Sequence, residues 1–264
     1  MINSKLADIL RTFSKNELNE FEKFISSPFF SKGRNYVPFI SYIKKYHPKF
    51  DNEELLPENI YGKLYPGRKY NKQVIWNITS SLQKMAEEFL IYRALERSRH
   101  IKNSLLADEF LNRKLSQYQA KKLDEMEKAL EKIGISENYF KFKTELESGR
   151  MLYHFLEDTQ HLLSQHIIKK GENAIMHLMR ELSGVINDLK ANAYMFNAEF
   201  TLNLPLNFVK NLDLENIIIY ARKNKFENAD VMDMLYCSIM MVLKFEDEKF
   251  FIRLKELFER NIDK

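Results

Sequence analysis

The sequence contains few of the residues that interrupt helices or close tight turns. Its 264 residues include only 7 glycines and 6 prolines, where average usage gives roughly 18 and 13. β-Sandwiches and β-barrels need many tight turns that are rich in these residues. The scarcity therefore argues against such architectures and favours an all-α protein.

Cysteine and long apolar runs are equally scarce. The single cysteine, Cys237, has no partner in the chain for a disulfide, and it lies in an apolar run where a small buried thiol is expected. This usage suits a reducing compartment, so we predict a cytoplasmic protein. No stretch approaches the ~20 apolar residues of a membrane-spanning helix, and the N-terminus lacks a signal-peptide pattern. We therefore predict no membrane partner.

The motifs of common enzymes are also absent. The sequence has no glycine-rich phosphate loop, no nucleophile elbow and no cysteine pair. His154 with Asp158, and Glu157 with His161, have the i,i+4 spacing that could hold a metal on one helix face. The zinc-protease pattern is missing, however, and no second ligand pair is evident, so hydrogen-bonded surface or groove side chains are the preferred interpretation. We predict a non-enzymatic protein with no catalytic residues, no cofactor and no metal.

Helical patterns run along the whole chain. Ser14 and Glu17 have the spacing of a capping box, which predicts a helix start. From Asn71 to about Arg97, apolar residues recur every three or four positions in the strongest helical pattern of the sequence. Polar residues 100–103 predict a break with Asn103 as a cap, and Gly134 is expected just beyond a helix end. Further helices are predicted over 104–115, 117–133, 137–157, 164–197, 206–211, 214–225, 229–245 and 247–259.

The predicted organisation has two parts. Residues 1–100 form an N-terminal helical module, and residues 101–264 form antiparallel helix pairs stacked as an irregular α-solenoid. The helix lengths and short breaks of the second part resemble tetratricopeptide arrays, although a strict 34-residue repeat and the tetratricopeptide signature are absent. An irregular helical bundle is the alternative. Because no polar capping helix is evident near residue 264, we expect the chain to be part of a longer array.

Three segments of the first hundred residues share a pattern with a known family. They are LRTFSKNELNEFEKFISSPFF from Leu10, IYGKLYPG from Ile60, and a Ser-Leu pair at 81–82 followed by Phe89 and Leu90. Together they resemble an uncharacterised family of all-helical bacterial proteins, which implies helical repeats and no particular activity. Residues 10–21 alone are similar to a helix corner of death-fold adaptor domains, which implies protein–protein assembly.

Residues 58–84 place a basic turn between two helices. The turn carries Arg68 and Lys69, and Trp76 in the second helix is available for packing. The segment resembles the helix-turn-helix half of response-regulator winged helices, which implies phosphate contacts for Arg68 and Lys69. The side chains that this resemblance places in the major groove are Lys72, Gln73, Asn77, Ser80 and Lys84. In a winged helix a β-hairpin follows the recognition helix. Whether residues 86–100 form a hairpin or continue as a helix therefore tests the resemblance.

The charge distribution leaves two functions open. Residues 1–105 carry about 18 Lys and Arg against about 11 Asp and Glu, while the whole chain has a net charge of only +4. Such a bias favours acidic or phosphate-rich partners, although an ordinary solubilising surface looks similar. Our leading hypothesis is a helical scaffold that binds a protein or peptide. The alternative is a nucleic-acid-binding transcriptional regulator that uses residues 58–84. Seven methionines lie at core spacing, but a methionine-lined groove could also accept a partner helix. They are Met176, Met179, Met195, Met232, Met234, Met240 and Met241.

Overall fold

Helices account for all the regular structure in the described part of the chain. The computed structural model describes residues 4–199 and 203–261, in which 14 α-helices and three short 3₁₀-helices occur and no strand is present. The prediction of an all-α protein is confirmed. Among the described residues, no helix combines the length and apolar character needed to cross a membrane. The chain divides into two compact units, residues 1–102 and 103–264.

The first unit is built around one long helix. Its helices are α1 (Ser4–Arg11), α2 (Lys15–Ser26), α3 (Pro28–Ser31), α4 (Val37–Ile43), α5 (Pro57–Leu64) and α6 (Lys72–Arg97), with 3₁₀-helices at Lys44–Tyr46 and Glu53–Leu55. Helix α6 packs against α1, α2 and α5. Its buried face includes Leu82, Met85 and Phe89. Phe89 lies 5.5 Å from both Phe13 and Phe21 between ring centroids, so aromatic contacts join α6 to α2.

Two helix starts in this unit are capped by side chains. The Glu17 amide donates to Ser14 Oγ at 3.1 Å, and the Ser14 amide donates to the Glu17 carboxylate at 2.8 Å. The predicted capping box is therefore confirmed. At the start of α6, Asn71 Oδ1 accepts from the Gln73 amide at 2.9 Å. The helix then runs without interruption to Arg97, as its apolar period predicts.

The second unit is organised along its longest helix. The boundary between the units falls in α7 (Arg99–Asn112), which is followed by α8 (Ser116–Ile133), α9 (Tyr139–Leu156), α10 (Leu163–Phe196), α11 (Leu204–Asn211), α12 (Leu214–Lys223), α13 (Ala229–Leu243) and α14 (Lys249–Asn261), with a 3₁₀-helix at Gln160–Leu162. Helix α10 has 34 residues and packs against α9, α11 and α13, while α8 packs on α9 and both α12 and α14 pack on α13. Met176, Met179 and Ile186 of α10 are buried in the core.

The predicted break at residues 100–103 is wrong. Helix α7 begins at Arg99, and Asn103 lies buried inside it rather than at a cap. The chain leaves helical geometry at Ser98, which immediately precedes Arg99 and has φ −104° and ψ 70°. Polar side chains are compatible with a helix surface, so polarity alone did not locate the break. Gly134 does follow the end of α8 with a positive φ of 70°, as expected of a glycine there.

Candidate functional site

Tyrosine contacts accompany the basic turn between α5 and α6. The Tyr61 ring centroid lies 5.0 Å from that of Tyr65 and 5.6 Å from that of Tyr70. Within the turn, the Arg68 amide donates to the Tyr65 carbonyl at 3.2 Å. The tyrosines of these contacts are buried or half-buried, while the side chains of Arg68 and Lys69 are exposed.

An open cleft lies where this turn meets α6. We call it the basic surface, and it is lined by Lys69, Tyr70, Asn71, Lys72, Gln73 and Trp76. The interpretation of Trp76 as a packing residue is wrong, since its side chain is 58% exposed. It follows Lys72 by four positions and Gln73 by three, so it shares their polar helix face. The basic surface therefore combines an exposed aromatic ring with cationic side chains.

The basic side chains predicted to contact nucleic acid, either at phosphates or in the major groove, are exposed. Arg68, Lys69, Lys72 and Lys84 are all exposed, and none forms an ion pair with another residue of the described ranges. Lys84 follows Lys72 by twelve residues on the same helix, which is about 18 Å along its axis. The structure thus brings Lys69 and Lys72 into one cleft with Arg68 beside it, and it leaves Lys84 outside.

The uncharged side chains predicted for this site are only partly free. Gln73 Nε2 donates to Asn77 Oδ1 at 3.0 Å, so these two exposed amides bond to each other. Ser80 is half-buried. Residues 86–97 continue as helix, where a winged helix has a hairpin. What remains of the predicted nucleic-acid site is the basic turn and the first turns of α6.

A cavity of about 240 Å³ lies in the second unit, among α8, α9, α10, α12 and the start of α13. We call it the central cavity. Its buried apolar lining includes Tyr139, Met176, Ala221 and Met232. More exposed side chains contribute a rim, among them Ile175, Ile217, Tyr220 and Phe226. Residues far apart in sequence therefore form one concave, largely apolar surface.

Carboxylates outnumber amines in the wall of this cavity. The wall contains Glu127, Glu147, Glu172 and Glu227, against Lys143 and Lys169. Arg150 forms an ion pair with Glu127, whereas Glu172 and Glu227 have no ion pair within the described ranges. The pKa of Tyr139 is raised by burial and, in addition, by the charge of Glu227 and of two further glutamates. The phenol thus lies in a negative electrostatic environment.

Glu147 is the most deeply buried carboxylate of the cavity wall, with 3% of the residue exposed. Its Oε2 lies 2.6 Å from Nδ1 of His166, which is also buried. Its other oxygen, Oε1, takes no part in this contact. The His154 ring stacks on His166 with centroids 5.0 Å apart. Burial lowers the pKa of His154, and His166 and Arg150 lower it further.

The two pairs whose spacing could hold a metal, His154 with Asp158 and Glu157 with His161, do not lie on one helix face. Helix α9 ends at Leu156, and Asp158 follows in a left-handed conformation with φ 53°. His154 Nδ1 instead lies 2.8 Å from the hydroxyl of Thr159. Among the residues that the structure describes, no three His, Cys, Asp or Glu side chains are grouped as a metal would require. The i,i+4 spacing places two side chains on one face only within a continuous helix, and α9 ends before Asp158 and His161.

Comparison of the chain with protein-family models, with curated proteins and with solved structures gives no match in any of the three. The resemblances to the all-helical bacterial family, to tetratricopeptide arrays, to response-regulator helix-turn-helix segments and to death-fold corners therefore stay predictions. The structure supports the all-helical character that they share.

The sequence contained part of the evidence for each site. The polar neighbours of Trp76 at i−4 and i−3 indicated an exposed ring. For the central cavity, the sequence indicated only that two methionine-rich stretches, which include Met176 and Met232 among seven methionines, could line a groove instead of a core. The carboxylates come from four separate segments, and no local pattern indicates that they converge.

Proposed function

We propose that this protein is a non-enzymatic helical scaffold that binds a protein or peptide partner in the central cavity. The observation that supports this proposal is the cavity itself, whose apolar and aromatic lining carries a few charged groups. Concave and mainly apolar surfaces with a few well-placed polar groups are the usual form of binding sites. We further propose that residues 101–264 form part of an irregular, tetratricopeptide-like α-solenoid, and that the protein acts in the cytoplasm.

The size of the cavity favours part of a larger partner over a complete small molecule. Its volume of about 240 Å³ is below the roughly 300–1,000 Å³ of pockets that enclose drug-sized ligands. One or two side chains of a peptide fit such a volume. The exposed rim, which includes Tyr220 and Phe226, offers further contact area for the rest of the peptide.

Peptide selection tests this function. Peptides are selected from a displayed random library on the full chain, and the affinity of each synthetic peptide is measured by fluorescence anisotropy. Tyr220→Ala removes an exposed rim aromatic, and we expect it to weaken binding at least about fivefold. Tyr194→Ala is the matched control, since Tyr194 is 89% exposed on α10 and does not line the cavity.

Two results would contradict the proposal. One is that no selected peptide binds the purified chain in a saturable way. The other is that the Tyr220→Ala and Tyr194→Ala variants both bind every selected peptide as tightly as the unmodified chain, because the peptides would then bind outside the cavity.

We propose nucleic-acid binding as a second candidate function, at the basic surface of the first unit. The specific observation in its favour is the exposed ring of Trp76 beside Lys69 and Lys72. Proteins that bind single strands commonly combine aromatic rings, on which bases stack, with cations that contact phosphates. Arg68 adds a further exposed cation next to the cleft.

The single tryptophan of the chain makes this candidate simple to test. Stacking of a base on Trp76 is expected to quench its fluorescence during titration with a 20-nucleotide single strand. If Arg68, Lys69 and Lys72 contact phosphates, log K should fall with log salt concentration with a slope of about −2. The double variant Arg68→Ala with Lys72→Ala should reduce binding, whereas Lys23→Ala in α2 should not. Unchanged fluorescence, or binding insensitive to salt, would contradict nucleic-acid binding.

A further inference from the structure

We propose that the central cavity accepts an arginine side chain of the partner segment. This inference rests on the proposed function and names the chemistry of the partner residue. It follows from the charge of the cavity wall, from its aromatic and apolar lining, and from the position of one buried carboxylate.

The charge of the wall favours a cation. Of its six charged side chains four are glutamates, and among the described residues only Glu127 has an arginine partner, Arg150. Glu172 and Glu227 lack ion pairs within the same ranges. A low-dielectric cavity strengthens such electrostatic interactions relative to water. An anionic side chain would therefore be repelled, while a cationic one would be attracted.

The lining favours a cation on a long apolar stem. Met176 and Met232 provide buried apolar surface, against which the methylene groups of an arginine or lysine can pack. Aromatic faces add a preference for the planar guanidinium, which stacks on rings. The cavity wall already contains a cation–π contact, because the Lys143 ammonium lies 5.8 Å from the ring centroid of Tyr139.

Glu147 offers a fixed acceptor for the head group. It is almost completely buried, and its contact with His166 uses Oε2. Its other oxygen, Oε1, is not used by that contact, and a carboxylate oxygen can accept from an N–H group that enters the cavity. A guanidinium has five N–H donors, so it can contact Glu147 and a rim carboxylate such as Glu227 together.

Methionine methyl groups report directly on this cavity. The full chain is labelled with ¹³C at its methionine methyl groups and titrated with N-acetyl-arginine amide as the probe. We expect saturable NMR shift changes at Met176 and Met232, which line the cavity, and none at Met179, which is buried on the same helix outside it. N-acetyl-citrulline amide has nearly the same shape without the charge, and we expect at least about tenfold weaker binding for it.

Two variants test whether Glu147 and Glu227 bind the arginine probe. Glu147→Gln preserves the shape of the side chain and should weaken binding of the arginine probe at least about tenfold. Because Glu147 is buried against His166, circular dichroism must show that this variant is folded. Glu227→Gln changes an exposed side chain and should weaken the probe several-fold with the fold intact, whereas Glu256→Gln on α14 should leave its affinity unchanged.

The outcomes separate this inference from the proposed function. Equal binding of the arginine and citrulline probes overturns the inference, and so does the absence of saturable shifts at Met176 and Met232. If selected peptides bind in the cavity but lack arginine, the inference is wrong while the scaffold function stands. Arginine in the selected peptides, with loss of affinity on its replacement by citrulline, supports both.

Discussion

Asp233 is a completely buried carboxylate held between two arginines. Arg222 Nη2 lies 2.5 Å from its Oδ2, and Arg253 Nη2 lies 2.9 Å from its Oδ1. Asp233→Ala would leave both guanidinium groups without this buried partner. Arg222 and Arg253 are partly exposed and keep Asp230 and Glu215 as partners, so we expect the free energy of unfolding to fall by about 1.5–3 kcal/mol, measured by urea denaturation followed by circular dichroism.

A surface ion pair provides the matched control for Asp233. Glu109 contacts Arg113 at 3.0 Å one helical turn away, and both side chains are more than half exposed. Exposed pairs of this kind contribute little, so Glu109→Ala should change the unfolding free energy by less than about 1 kcal/mol. A similar small change for Asp233→Ala would show that the buried contacts do not stabilise the fold.

Cys237 should be chemically inert in the folded protein. Burial raises the pKa of its thiol to about 12, and the charge of Asp233 contributes in the same direction. Since the thiolate is the reactive form, we expect the folded chain not to react with Ellman's reagent at pH 8. The denatured chain should titrate one thiol. Reaction of the folded chain as fast as that of the denatured chain would contradict this prediction.

At the scale of a single element, the start of α2 depends on Ser14. Its hydroxyl accepts from the Glu17 amide at 3.1 Å. Ser14→Ala removes that acceptor, so we expect the unfolding free energy to fall by about 1 kcal/mol. Ser27 is a matched control in the same unit, because it occupies the N-cap position of α3 without a side-chain hydrogen bond. Equal effects of Ser14→Ala and Ser27→Ala in denaturant titrations would contradict a role for the capping bond.

The second hydrogen bond of this capping box, which the Ser14 amide donates to the Glu17 carboxylate, should stabilise the fold in a pH-dependent way. Hydrogen bonds from the Ser14 backbone and side chain lower the pKa of Glu17 below its ordinary value of 4.5. A carboxyl group whose pKa is lower in the folded state stabilises the fold above the unfolded-state pKa, and this contribution is lost as the pH falls through the folded-state pKa. Between neutral pH and pH 3, Glu17→Gln should therefore lose less stability than the unmodified chain. Parallel pH profiles for the two proteins would contradict the prediction.

The helices themselves were largely predictable, and the burial of individual side chains was not. The apolar period from Asn71 predicted α6 because its stripe extends over many turns. The start of α7 was missed, since polar residues near Ser98 occur on helix surfaces as well as in breaks. Trp76 was misplaced because hydrophobicity alone does not show which face of a helix contacts the core.

At the scale of the whole molecule, the chain has a separate core in each unit. The first core contains buried residues between Leu6 and Phe89, and the second contains buried residues between Ala107 and Leu257. Composition predicted enough apolar residues for such cores. The central cavity was not predictable, because it depends on how α8, α9, α10, α12 and α13 meet, and that arrangement is set by non-local packing.

Because neither core shares a buried residue with the other, each unit should fold without the other. Division at Ser98, between α6 and α7, gives fragments 1–98 and 99–264 that contain every buried residue of the first and second core respectively. We expect both fragments to show helical circular dichroism and a cooperative thermal transition, since domains of about 100 residues or more can bury a sufficient core.

Division within α10 at Gly184 is the control, because it places Met176 and Ile186 of one core in different fragments. Fragment 185–264 should therefore lack a cooperative transition. Failure of both fragments from the Ser98 division to unfold cooperatively would show that the two cores depend on each other.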